Sequence, residues 1–170
     1  SGTLEVRVLT AADAVAAEAG GADRLEVVGT SADGGRSPEP RLVSEISRRT
    51  NLPLRPLVRL RKGFGTDGGE AVRLAGLVSA YIDAGAEGVT CGFLNGLGEI
   101  DTEVLGAILE ETPCPWTFHR AVDSCLNADR AWNVLLRLPR LDAVRTAGSA
   151  RDLEHGLDEL VRRAERDAEV

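Results

Sequence analysis

Positive charge is what this chain of 170 residues has too little of. Lys and Arg total 20 against 27 Asp and Glu, for a formal charge of −7 and an isoelectric point near 4.9. A nucleic-acid partner requires a basic face that displaces counterions, so none is expected. Long apolar runs are also missing. None reaches the roughly 18 residues that span a bilayer, and no signal-peptide pattern opens the sequence, so no membrane partner is expected. Cysteine is scarce: Cys91, Cys114 and Cys125 are odd in number, far apart and without a CxxC spacing. That suits reduced thiols in the cytoplasm better than a disulfide framework. Ser1-Gly2-Thr3 carries no weight in this reading.

What is present is a regular alternation of short β-branched or apolar runs with segments of helical period. Strands are predicted at 4–9, 24–28, 54–60, 88–93, 116–120 and 143–146. Helices are predicted at 11–19, 39–50, 70–84, 102–111, 128–138 and 151–168. The last helix carries Leu153, Leu157, Leu160, Val161 and Ala164 on one stripe. Two helix ends share a joint, Gly20-Gly21-Ala22-Asp23 and Gly85-Ala86-Glu87, where glycine supplies the left-handed cap before the next strand. Strict βα alternation implies parallel strands and right-handed crossovers within one domain, 1–170. An open doubly wound sheet and a TIM-like (β/α) barrel both satisfy that order. Central strands of an open sheet should be almost wholly apolar. Here Glu5, Arg7, Glu26, Arg59, Arg61 and His119 interrupt them, which favours a barrel with polar groups at its rim. About six βα units are present, so the barrel is incomplete relative to (β/α)8.

The segment Thr117-Phe118-His119-Arg120-Ala121-Val122-Asp123 writes polar chemistry into what should be a buried strand. Such groups must either pair internally or face a ligand. On strict alternation His119 and Arg120 point opposite ways, and only His119 enters the lumen unless the strand ends between them. His155, in the polar half of the last helix, reads as solvated.

Six segments, in order, resemble the CutC family of proteins associated with copper homeostasis. Leu4-Glu5-Val6 is similar to its first strand and Gly21-Ala22-Asp23-Arg24-Leu25-Glu26 to its GADRIEL segment. Asp33-Gly34-Gly35 with Ser37-Pro38 resembles EGGLTPS, and Val58-Arg59-Leu60-Arg61 with Gly63 resembles IRPRGG. Thr117 to Asp123 is similar to TFHRAFD, and Val144 to Gly148 to VLTSG. The resemblance implies a (β/α)8-like barrel and a link to copper. This chain departs from the pattern where the family often carries the strand cysteines proposed to hold copper: Arg7 and Val28 stand there. Arg145 replaces the Leu of VLTSG, and the family's final strands have no counterpart before Val170. The chain therefore reads as a fragment or as a shortened relative.

Three functions remain open. One is a CutC-like role in copper homeostasis, with copper implied by resemblance alone; Cys91 with His119 is its weak metal candidate. The second is a barrel enzyme acting on a small anionic metabolite. Its catalytic set is His119, Asp123 and Glu26, and its ligand-binding set is Glu5, Arg59, Arg61, Arg120 and Thr146. The plainer alternative for the same residues is a salt-bridge network filling the barrel mouth. The third is a structural module that completes its barrel as a homo-oligomer through exposed strand edges. The glycine-rich loops 63–69 and 92–98 follow strands without any Walker spacing and read as tight turns.

Overall fold

The computed structural model describes residues 2–147 and 153–166, so Gly148 and the side chain of His155 lie outside the described residues. Six parallel strands alternate with six helices: β1 (Glu5–Val8), α1 (Ala11–Ala19), β2 (Arg24–Val27), α2 (Pro40–Ser47), β3 (Leu54–Pro56) and α3 (Gly68–Asp83) in the first half. The second half holds β4 (Val89–Cys91), α4 (Thr102–Leu109), β5 (Trp116–Phe118), α5 (Ala128–Leu135), β6 (Leu141–Val144) and α6 (Leu153–Arg166). Short 3-10 turns occupy Ala32–Gly34 and Arg120–Ser124.

Local chemistry explains the helix starts. Thr10 and Asp13 form a reciprocal capping box ahead of α1, and Pro40 opens α2 where its missing N–H costs nothing. Asp67 accepts from the Glu70 N–H, which starts α3 two residues before the hydrophobic period alone predicts. Gly21 (φ +93°) and Gly85 (φ +110°) supply the expected left-handed turns into β2 and β4.

β1–β2–β3 form one three-stranded sheet and β4–β5–β6 another. A parallel bridge between Leu57 and Thr90, with the Val58 N–H donating to Thr90 O, joins them, and Leu54 O accepts from the Glu87 N–H at 3.1 Å at the start of β4. This bridge also explains why β3 is shorter than 54–60. Beyond Pro56 the chain leaves its ladder with β2. Arg59 instead exchanges hydrogen bonds with Ser37, donating its N–H to Ser37 Oγ and accepting from the Ser37 N–H.

The six strands curl. In a flat sheet β2 and β6 would lie about 19 Å apart, four strand spacings. Instead Arg145, just past β6, forms an ion pair with Glu26 of β2. Arg55 of β3 likewise reaches Thr117 of β5 at 2.9 Å and Asp142 of β6. No ladder pairs β6 with β1 among the described residues. Leu25, Val27, Leu54, Val89, Cys91, Trp116 and Phe118 fill the layer between strands and helices with Ile46, Leu74, Val78, Ile108 and Leu135. Each such side chain contributes about 1.5–3 kcal/mol by leaving water. The opposite strand faces carry the polar residues.

Candidate functional site

Those inward polar residues separate into two levels. At the strand N-terminal ends, Glu5 pairs with Arg24 at 2.5 Å. The fully buried Arg55 guanidinium meets Thr117, Asp142 and Glu87 there. Asp142 reaches it because it is the extra residue in an irregular β5–β6 register: Trp116 pairs with Leu141, but Thr117 pairs with Ala143.

At the C-terminal ends a cavity of about 460 Å³ is lined by Arg7, Leu57, Arg59, Phe64, His119 and Arg145, with Asp33, Gly34, Arg120, Asp123 and Ser124. Arg59 is 7% exposed and makes no ion pair among the described residues. Its guanidinium donates to three backbone carbonyls: Gly63 at 3.1 Å, Asp33 at 2.5 Å and Gly35 at 3.1 Å. Asp33, Gly34 and Gly35 take positive φ (52°, 87° and 110°), which bends their carbonyls toward it. A Cβ at Gly35 would lie 3.1 Å from Arg7 Nη1 and 2.9 Å from Leu57 Cδ2, so glycine there gives Arg7 its place. Burial, reinforced by Arg36 and Arg7, lowers the pKa of Arg59 from its ordinary value, and its planar group lies over Phe64 at 5.2 Å.

Glu26, 1% exposed, divides its carboxylate between two arginines. Oε1 accepts from Arg7 Nε at 2.5 Å, and Oε2 accepts from Arg145 Nη1. On the other wall, β5 ends at Phe118 and the chain turns at once into the 3-10 turn Arg120–Ser124. His119 and Arg120 therefore both line the cavity, as they can only when the strand stops between them. His119 caps that turn, its Nδ1 accepting from the Ala121 N–H at 3.1 Å. The imidazole proton accordingly sits on Nε2, a buried donor without a partner. Its ring packs on Gly92, where a Cβ would come within 2.9 Å of Cε1. Burial drives the His119 pKa down to about 3, helped by Arg145, Arg59 and Arg7. The ring is neutral at ordinary pH, so it offers a hydrogen-bond donor rather than an exchangeable proton.

Of the residues picked out from the sequence, the structure brings His119, Arg59, Arg120 and Asp123 to one cavity, with Glu26 directly behind it. Asp123 does not orient His119. It accepts from Arg120 Nε at 3.0 Å, from the Ala147 N–H at 2.8 Å and from the Thr146 hydroxyl, so Thr146 buttresses the wall. Glu5 lies at the far end of the strands with Arg24. Arg61 is half exposed and bonded to Asp67 and Glu70 outside the cavity. Arg7, Arg145 and Phe64 are among the lining groups that the sequence reading left out of its candidate site. Arg7 and Arg145 had a signal, since both stand where the family pattern carries something else.

Cys91 and His119, the weak metal candidate read from the sequence, lie on different faces of the sheet. Cys91 pairs with Phe118 in register and belongs to the apolar core, on the sheet face opposite His119. Burial raises the pKa of the Cys91 and Cys114 thiols, and that of Cys125 to about 11, which disfavours the thiolate that Cu(I) prefers. No cluster of three or more His, Cys, Asp or Glu side chains suited to a metal occurs among the described residues. No described helix is long and apolar enough to cross a membrane.

Known proteins share this architecture. A solved structure of Streptococcus agalactiae CutC, named for copper homeostasis, superposes with a TM-score of 0.85 at 20% identity, covering 97% of this chain and 84% of that one. A Pseudomonas aeruginosa protein named as a dihydrodipicolinate synthetase gives a TM-score of 0.63 at 13% identity, over 97% of this chain and 61% of that one. In sequence, the family protein CutC of Proteus mirabilis is 31% identical over 156 residues, and that of Edwardsiella ictaluri 32% over 157. Both matches cover 91% of this chain, which spans 62% of the length of either relative. A model of the CutC family matches residues 3–169, and the chain belongs to the CutC family.

Proposed function

We propose that the six βα units are an open arc of a TIM-type barrel and that the mouth of this arc binds a small anionic ligand. The observation that carries this reading is Arg59: a buried guanidinium held by three backbone carbonyls and by no carboxylate. Around it the cavity is rich in donors and poor in acceptors. Beyond Glu26, neither the Arg7 nor the Arg145 guanidinium has a further hydrogen bond among the described residues, and His119 Nε2 is unpartnered. A ligand with several acceptor oxygens satisfies these groups together, and arginine forks suit carboxylate and phosphate oxygens in particular. The proposed role of His119 is to donate Nε2–H to a ligand oxygen, as a neutral imidazole does when its environment suppresses protonation. Arg59, Arg120 and Arg7 would hold the anion, and Asp123 would fix Arg120.

A part in copper homeostasis comes to this chain from the family name. The described residues support it with no ligand set, so copper has no step in the proposed binding. Thermal unfolding with phosphate, sulfate and succinate at constant ionic strength tests the reading. A binding anion at a hundred times its Kd should add about 2.7 kcal/mol of stability and raise the midpoint accordingly. Unchanged midpoints for all three would remove the proposal.

A further inference from the structure

The charges around the cavity can be matched partner by partner. Asp33 is bonded to Arg36 and Asp123 to Arg120, so each of those pairs is locally neutral. Glu26 supplies one negative charge to Arg7 and Arg145 together. Arg59 touches three backbone carbonyls and no carboxylate, and the one acid whose field reaches it, Asp33, is already paired with Arg36. Three cations against one carboxylate leave two positive charges without a matching anion among the described residues. His119 is in the same field: the charged groups acting on it are Arg145, Arg59 and Arg7, all cationic. Burying unmatched charge is costly, and the cost is recovered when an anion of equal and opposite charge enters.

We infer that the site is matched to a doubly charged oxyanion, a phosphate monoester or a dicarboxylate, and that Glu26 sets this preference by cancelling one of three arginine charges. The inference rests on the anion-binding reading and sharpens it. Glu26 is a positioning residue here: it stands behind Arg7 and Arg145, outside the cavity lining, and acts through them. Arg59 and Arg7 both stand against the Gly34–Gly35 turn while Arg145 comes from beyond β6, so a ligand whose two charges are spread over several oxygens meets all three.

The test is isothermal titration of the protein with phenyl phosphate and succinate as dianions, and with diphenyl phosphate and acetate as monoanions, at one ionic strength and pH 8. The dianions should bind at least about tenfold more tightly than their monoanionic counterparts. Arg145→Gln, at a side chain one-third exposed, reduces the surplus to one and should shrink that ratio severalfold. Glu26→Gln raises the surplus to three and should tighten every anion, dianions most. Folding of each variant is checked by circular dichroism. Should Glu26→Gln not fold, the Arg145→Gln ratio decides alone. Equal affinity for monoanions and dianions, or a ratio that Arg145→Gln leaves unmoved, overturns the inference while leaving an anion site standing. Failure of every probe to bind wild-type protein removes the site itself.

Discussion

The two ends of the strand bundle solve the same problem differently. At the N-terminal end the buried Arg55 faces two carboxylates, Asp142 and Glu87, and a threonine hydroxyl, while Glu5 and Arg24 pair one to one. Cations there are matched or outnumbered, and the arrangement is a clasp that ties β3 to β6 across the interior. At the C-terminal end arginines outnumber the carboxylates that touch them, and a histidine donor goes unused. Burial alone does not separate a structural charge from a functional one, since Arg55 is more buried than Arg59. The inventory of partners does.

That contrast can be attacked first at the clasp. Arg55→Met should destabilise the fold by about 1–3 kcal/mol, because it removes the link to β6 and leaves the buried Thr117 hydroxyl without its donor, while the half-exposed Asp142 and Glu87 turn to water. Urea denaturation measures the loss. A cost below 1 kcal/mol would mean that the two ends do not differ in this way. The second attack is on His119. Its folded-state pKa, near 3, lies below the unfolded value of about 6.5, so between those limits the unfolded chain binds the extra proton. The stability tied to it is fully present above pH 6.5 and is lost as the pH falls toward 3, with a slope of up to about 1.4 kcal/mol per pH unit. His119→Phe should flatten that slope relative to wild type in denaturation series at pH 4 to 7. Equal slopes would show that the ring is not held neutral. The smallest effect is expected at Arg61. Its pairs with Asp67 and Glu70 are at the surface, so Arg61→Ala should leave the urea midpoint indistinguishable from wild type. The same variant should leave anion binding unchanged by titration, and a clear loss would return Arg61 to the site.

Much of the fold was legible because its signals are local. Alternating periods, glycine joints and caps placed all six strands and all six helices within a few residues. The site was less so. Glu5 and Arg61 sit on the expected segments, but height along a strand and exit from the ladder decide which mouth a side chain reaches, and neither is written in periodicity. Glu5 begins β1 rather than ending it, and Arg61 lies beyond the point where the chain has left β3. Arg7 and Arg145 were visible as departures from the family pattern. Their meaning required the curl that brings both to Glu26, 19 and 119 residues away in sequence. The orphan N–H of His119 depends on a backbone hydrogen bond two residues on, which only the 3-10 turn creates.

The seam between β3 and β4, bridged at Leu57 and Thr90, has a wider implication. Arg7 lies in the first three-stranded sheet and Arg59 just after it, while His119 and Arg145 follow strands of the second. Neither half owns a complete set of ligand contacts. The two sheets meet along the β3–β4 seam and through the packing of α3 on α4, with Arg145–Glu26 and Arg55–Asp142 as cross-ties on the opposite side. A ligand at the proposed site would act as a third tie, so its binding and the cohesion of the two halves would be thermodynamically coupled.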